Sequence, residues 1–220
     1  MQVYDTYHLN STETDYADPF RNEYIRLFIE SEDAETLALE LDEITDQYNA
    51  IRKENAEKIK ADAVGFSWAG FTLERRVKTE NNLGFMTCKT NWIVPGPGFV
   101  VLDAYNFDPE NGQLLDDDQV FDKIGMDYEE LNALLGQSLS DQKIDRGGET
   151  LEPEIVTSLE EAKEQFSTGD IDGKILIRVK PEQGVLLAGD KMYVVVEAYL
   201  AMDDTFSFLQ VQEMSLVQNN

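Results

Sequence analysis

The chain holds one cysteine and one histidine among its 220 residues. Cys88 by itself forms neither an intrachain disulfide nor a multi-cysteine zinc site, and His8 by itself builds no histidine-based metal cluster. Cations are scarce too: 18 Lys+Arg stand against 44 Asp+Glu, a formal net charge of −26. Such a field repels phosphate backbones and anionic lipid, which disfavours direct contact with nucleic acid or a membrane surface. Long apolar runs are missing as well. The longest nearly apolar stretch, from Met192 to Met202, is broken by Glu197 and falls well short of the roughly 20 residues of a spanning helix. The first twenty residues carry Asp5, Glu13, Asp15 and Asp18 without a basic start or an apolar block. A secretory signal is therefore not expected, and the expected location is the cytoplasm.

What is present is enough for a core. Hydrophobic residues make up 42%, and the aromatics (Phe 11, Tyr 9, Trp 2) are spread along the chain, unlike a disordered acidic tail. The charge is uneven. Residues 1–50 carry 13 acidic and 2 basic side chains and residues 91–170 carry 19 and 4, whereas residues 51–90 carry 5 and 8. Two blocks thus supply the negative field. They suit either solvated faces that keep the chain soluble or a surface that meets a basic partner.

Asp18 and Pro19 open a short helix with Phe20, Tyr24, Leu27 and Phe28 on one face. Ser31, followed by Glu32, Asp33 and Glu35, starts a second, long amphipathic helix. Its seam of Leu37, Leu41, Ile44, Tyr48 and Ile51 predicts packing on the protein's own sheet in preference to a dimeric coiled coil, and its end is expected near Asp62. From Val64 the period becomes strand-like. Alternation through Phe71, Leu73, Arg75 and Val77, then residues 85–94, predicts a β-hairpin. Residues 95–98 form an irregular link, residues 99–107 another strand, and Asp108-Pro109-Glu110-Asn111-Gly112 a turn. Residues 113–115 continue the sheet, followed by an acidic loop, and Asp127 caps a short helix ending near Gly136. Ser158 opens another short helix. Strands are expected over 174–180, 184–187, 191–200 and 205–211, the last two joined at Met202-Asp203-Asp204.

The expected fold class is α+β: an N-terminal helical section with one long amphipathic helix, packed against mainly antiparallel sheet. The sections are 1–62 (N-terminal loop and helices), 63–136 (β-rich with a short helix), 137–157 (loop or linker) and 158–220 (short helix and antiparallel strands). The alternative reading takes all four sections as one domain.

Motif chemistry is thin. Gly96-Pro97-Gly98 follows a strand, but Val101 stands where the third glycine of a dinucleotide loop belongs, and no helix follows. Asp116, Asp117, Asp118 and Asp122 concentrate oxygens without a converging geometry. Thr168, Asp170, Asp172 and Gly173 fit part of a calcium loop, yet Val179 sits where its bidentate glutamate must be. Arg75, Arg76 and Lys78 form the main basic cluster and suit ion pairs with the protein's own acids. Trp68 and Trp92 read as core or edge residues, Cys88 as a buried thiol, and Asn10-Ser11-Thr12 as an acceptor pattern without a secretion signal. No cofactor and no metal are expected.

The functional expectation is a non-enzymatic acidic protein-binding module. In its concrete form it is an inhibitor of the immunity, anti-restriction or anti-defence type, occupying the basic surface of a nucleic-acid-binding protein. The candidate partner-binding residues are Glu40, Asp42, Glu43 and Asp46 on the long helix, with Asp116, Asp117, Asp118 and Asp122. The alternative is a structural or assembly subunit of a phage particle or other homo-oligomer, located in the virion. A carboxylate-based enzyme is third, since 44 acids supply acid–base pairs in principle.

Overall fold

A computed structural model describes residues 31–60, 66–78, 82–94, 98–146, 148–169 and 171–216, with only the backbone given for part of the long helix and of the first strands. The expected helix at Phe20–Phe28, His8, the Asn10 pattern, Asp170 and the 95–97 part of the glycine-proline link lie outside these residues. The chain is α+β, with two mostly antiparallel sheets. It divides into two compact units: Met1–Val101 with Tyr105–Leu114, and Leu102–Ala104 with Leu115–Asn220.

In the first unit, α1 (Glu32–Lys60) precedes a four-stranded sheet in the order β1 (Phe66–Lys78), β2 (Leu83–Val94), β3 (Gly98–Phe107), β4 (Leu114–Leu115). The start of α1 is the expected one: the Ser31 hydroxyl accepts from the Ala34 N–H at 3.1 Å. That hydroxyl also donates to the Gly112 carbonyl at 2.7 Å, and the Asp33 carboxylate accepts the Leu114 N–H at 2.8 Å. One helix end thereby satisfies its own orphan donor and holds the 112–114 segment. Ala34, Leu37, Ala38 and Leu41 are buried against Phe85, Tyr105 and Phe107, with Ile44 partly buried beside them. The four-and-three spacing from Leu37 to Ile44 accordingly faces the sheet.

The hairpin of β1 and β2 is antiparallel, pairs Trp68 with Trp92, and shifts register between Leu73 and Arg75. Cys88 is buried in β2. The 108–112 turn forms as read, with Gly112 at φ 71° and its N–H donating to the Asp108 carbonyl at 2.8 Å.

The second unit corrects two sequence expectations. The stretch after Leu115 is not an acidic loop but α2 (Asp117–Ile124), followed after Gly125, Met126 and Asp127 by α3 (Tyr128–Leu139). Residues 137–157, read as loop or linker, hold the last turn of α3, β5 (Ile144–Arg146) and β6 (Glu149–Ile155). After α4 (Leu159–Thr168) come β7 (Lys174–Val179), β8 (Val185–Ala188), β9 (Lys191–Leu200) and β10 (Thr205–Ser215). The six-stranded sheet runs β10-β9-β7-β6-β5, with β8 also on β9. Its β6–β7 pair is parallel, because α4 carries the chain back across the sheet.

Gly136 does not end α3. A Cβ there would lie 2.9 Å from Ile155 Cγ1, so the glycine lets the helix approach β6 closely. Val120, Ile124, Leu131, Leu135 and Leu139 pack on Ile175, Ile177, Val194 and Val196. Their helical and two-residue periods produce one core from opposite sides.

A polar device completes this packing. At Val179, the last residue of β7, the N–H donates to Asn132 Oδ1 at 2.8 Å, and the carbonyl accepts the Tyr128 hydroxyl at 2.6 Å. Both side chains come from α3, so a helix supplies the partners that a neighbouring strand would otherwise provide. Around α4, Val156, Ala162 and Leu176 are buried with Tyr199 and Phe206 packed against them. Arg178 pairs with Glu197 at 3.2 Å, and its guanidinium lies 3.7 Å from the centre of the Phe206 ring.

Candidate functional site

The acidic segment between Asp116 and Glu130 is built from two consecutive capping boxes. Asp116 accepts the Gln119 N–H at 2.8 Å while Gln119 accepts the Asp116 N–H at 3.0 Å. Asp127 accepts the Glu130 N–H at 2.8 Å while Glu130 accepts the Asp127 N–H at 3.0 Å. Between them Gly125, at φ 67°, terminates α2 in the left-handed region and returns its N–H to the Phe121 carbonyl. Several of the acids are thus explained by the ends of helices, where carboxylates complement the macrodipole.

The remaining acids occupy a different setting. Asp118 and Asp122 are exposed, one helical turn apart, and line an open depression of about 720 Å³ together with Asp127 and Glu130. Phe121, Met126 and Tyr128 form its apolar lining. The Phe121 and Tyr128 rings meet edge to face, centroids 6.3 Å apart at 86°, and the hydroxyl bond to the Val179 carbonyl anchors Tyr128. Burial pushes the Tyr128 phenol above its ordinary value, against the opposing effect of Asn132, so it remains a neutral donor. Like charges at i and i+4 cost a helix a few tenths of a kcal/mol, about 0.2–0.5. Neither Asp118 nor Asp122 accepts a capping hydrogen bond, although Asp118 lies in the first turn of α2, where its charge complements the macrodipole.

Asp117 turns elsewhere. Its carboxylate accepts the Gln183 N–H at 2.9 Å, and burial raises its pKa above the ordinary 3.8 despite that bond and the nearby Lys180. A raised carboxylate pKa means that the folded state binds the proton more tightly than the unfolded one. Stability should therefore fall as pH rises from 3.8 through the folded value, and remain lower above it. Asp117→Asn keeps an acceptor for Gln183 and removes the titration. Denaturation midpoints compared across acidic pH should show the wild type losing ground to the variant with rising pH; parallel curves would contradict this sign.

Of the expected residues, the structure brings Asp118 and Asp122 together at the depression, uses Asp116 as a cap and directs Asp117 to Gln183. Glu40, Glu43 and Asp46 are exposed on α1 and Asp42 is half-buried, all in the first unit. Asp127, Glu130, Phe121 and Tyr128 were not among the sequence candidates for binding. The patterns Asp116-x-x-Gln119 and Asp127-x-x-Glu130 are the signals that point to them. Among the described residues, no three His, Cys, Asp or Glu side chains converge as metal ligands, and no helix is long and apolar enough to cross a membrane.

The sequence matches no protein-family model and shows no significant similarity to a curated protein. The functional reading therefore stands on the chemistry of the site.

Proposed function

We propose that this chain is a non-enzymatic protein-binding module whose acidic depression between α2 and α3 receives a lysine or arginine side chain of a basic partner. The observation that carries the reading is the exposed Asp118–Asp122 pair lining one depression with the Phe121 and Tyr128 rings. The pair adds repulsion to its own helix, while a guanidinium entering the depression would meet both carboxylates and aromatic surface. A nucleic-acid-binding protein is the partner class that fits this chemistry, because its phosphate-binding groove is lined with such cations. The concrete version is an inhibitor of the immunity, anti-restriction or anti-defence type. The large negative charge would steer the encounter, and the aromatic contact would slow dissociation.

The test uses an arginine-rich peptide as probe in a surface-binding assay. Asp118→Asn with Asp122→Asn should lower its association rate several-fold and flatten the dependence on salt. The same double variant should change stability little, because the relief of the i,i+4 repulsion, about 0.2–0.5 kcal/mol, is offset by the loss of Asp118 from the first turn of α2, where a carboxylate complements the macrodipole. Binding that ignores both salt and the double substitution would refute the reading, as would a marked loss of stability, which would make the pair structural.

A further inference from the structure

Asn111 is the only asparagine in the sequence that precedes a glycine. Gly112 has no side chain, which leaves its backbone nitrogen unobstructed for attack on the neighbouring carboxamide carbon. The tip that holds the pair is open to water, with Glu110, Asn111 and Gln113 exposed. Its hydrogen bonds treat the two reacting groups differently. Asn111 Oδ1 accepts the Gln113 N–H at 2.8 Å, so a donor already sits on the oxygen where negative charge develops when a nucleophile adds to Cγ. The Gly112 N–H instead donates to the Asp108 carbonyl at 2.8 Å and is not free to give its proton to solvent. The electrophile is activated while the nucleophile is masked.

The mask depends on a distant element. From 81 residues away, the Ser31 hydroxyl at the start of α1 donates to the Gly112 carbonyl at 2.7 Å, and the Asp33 carboxylate accepts the Leu114 N–H at 2.8 Å. Inside the turn, Asp108 donates its N–H to the Gln113 carbonyl at 2.9 Å, and its carboxylate accepts the Glu110 N–H at 2.8 Å. Freeing the Gly112 nitrogen therefore means opening the turn against its own bonds and against the tie from α1. Chemistry that needs this nitrogen proceeds at a rate proportional to the population of the opened turn.

We infer that Asn111 is a deamidation site whose rate is set by the Ser31 hydroxyl. In the opened turn the Gly112 nitrogen gives its proton to hydroxide and bonds to Asn111 Cγ. The bond from Cγ to the carboxamide nitrogen breaks, and that nitrogen takes a proton from water and leaves as ammonia. Water then opens the succinimide ring, at Cγ to give aspartate or at the main-chain carbonyl to give isoaspartate. Either product adds one negative charge. Isoaspartate also inserts a methylene into the backbone between residues 111 and 112, which displaces the Gly112 carbonyl from Ser31. The chain thus loosens its own tie between α1 and the turn as it ages, independently of any basic partner.

The full chain is incubated folded and in denaturant at one mildly alkaline pH, and peptide mapping by mass spectrometry follows aspartate and isoaspartate at position 111. Over the time in which the denatured chain converts completely, the folded wild type should convert in part, several-fold more slowly. Ser31→Asp keeps a capping acceptor for the Ala34 N–H and removes the donor to Gly112. It should convert several-fold faster than the wild type with an unchanged circular dichroism spectrum, whereas Ser31→Thr, which retains both functions, should stay near the wild-type rate. Hydrogen exchange at the Gly112 amide should rise in step with conversion across the three proteins, without the rise at core amides that a general loss of stability brings. A folded wild type that keeps Asn111 fully intact over that time overturns the site. Equal rates for wild type and Ser31→Asp, or for folded and denatured wild type, overturn the control by Ser31.

Discussion

Replacing Gly184 with alanine should lower the stability of the protein by about 3 kcal/mol or more, because the new methyl group would overlap the backbone carbonyl of Lys180. A side chain can swing aside, but this carbonyl cannot move alone. Lys180 donates its N–H to the Val195 carbonyl at 2.9 Å, and the Gly184 carbonyl accepts from Val195 at 2.8 Å. The intervening Gln183, at φ 51°, accepts from the Ala104 N–H and donates to Asp117. The Lys180 ammonium is held by Asp103 at 2.8 Å, both side chains largely shielded from water. Shifting the turn strains all of these bonds together. Gly125→Ala provides the contrast: nothing lies within 4 Å of its added Cβ, so only the left-handed backbone is penalised, by about 1 kcal/mol. Denaturant midpoints followed by circular dichroism should separate the two variants clearly. Equal losses would show that the 180–184 turn yields freely.

Asn132→Ala should cost about 2–4 kcal/mol. The residue is 1% exposed, and truncation removes the acceptor of the Val179 N–H and leaves a void beside α3. The donor it abandons has no strand to turn to, because β6 pairs with β7 only as far as Ile177. Tyr128→Phe touches the same residue more gently. It removes one hydroxyl from a carbonyl, and the expected loss is about 1 kcal/mol. Amide exchange at Val179 should accelerate in Asn132→Ala and change little in Tyr128→Phe. An Asn132→Ala protein as stable as the wild type would mean that the helix does not complete the strand's hydrogen bonding.

Elements with local signals are legible in the sequence alone. Ser31 and Ser158 cap the helices expected of them, and the 108–112 turn and the β9–β10 hairpin stand where the residues place them. Even here the partners differ in detail: Glu161 accepts from the Thr157 N–H rather than from Ser158, so the expected reciprocal cap is displaced by one residue. Helix α2 was missed because three successive aspartates read as a solvated loop. One of them caps, one docks on Gln183, and Val120 and Ile124 supply the buried face. Strands β5 and β6 were missed because Glu149, Glu152 and Glu154 make a weak strand pattern that becomes ordered through pairing with β7. The candidate site is half legible in the sequence: Asp118 and Asp122 stand out in a run of acids, whereas the rings that line the depression with them do not.

Composition and short-range pattern were sufficient for the α+β class, the acidic field and the lack of a multi-cysteine or histidine metal centre, since each depends on residue type or on neighbours within one or two turns of chain. Folding in three dimensions settled which carboxylates cap helices, which one docks on the Gln183 N–H, and which two remain exposed in a depression shared with aromatic rings. It also brought Asn132 and Tyr128 to Val179, 47 and 51 residues away, and left one side of β10 without a described strand. Such assignments arise from hydrogen bonds and packing between distant segments, and nothing in the residues adjacent to each partner encodes them.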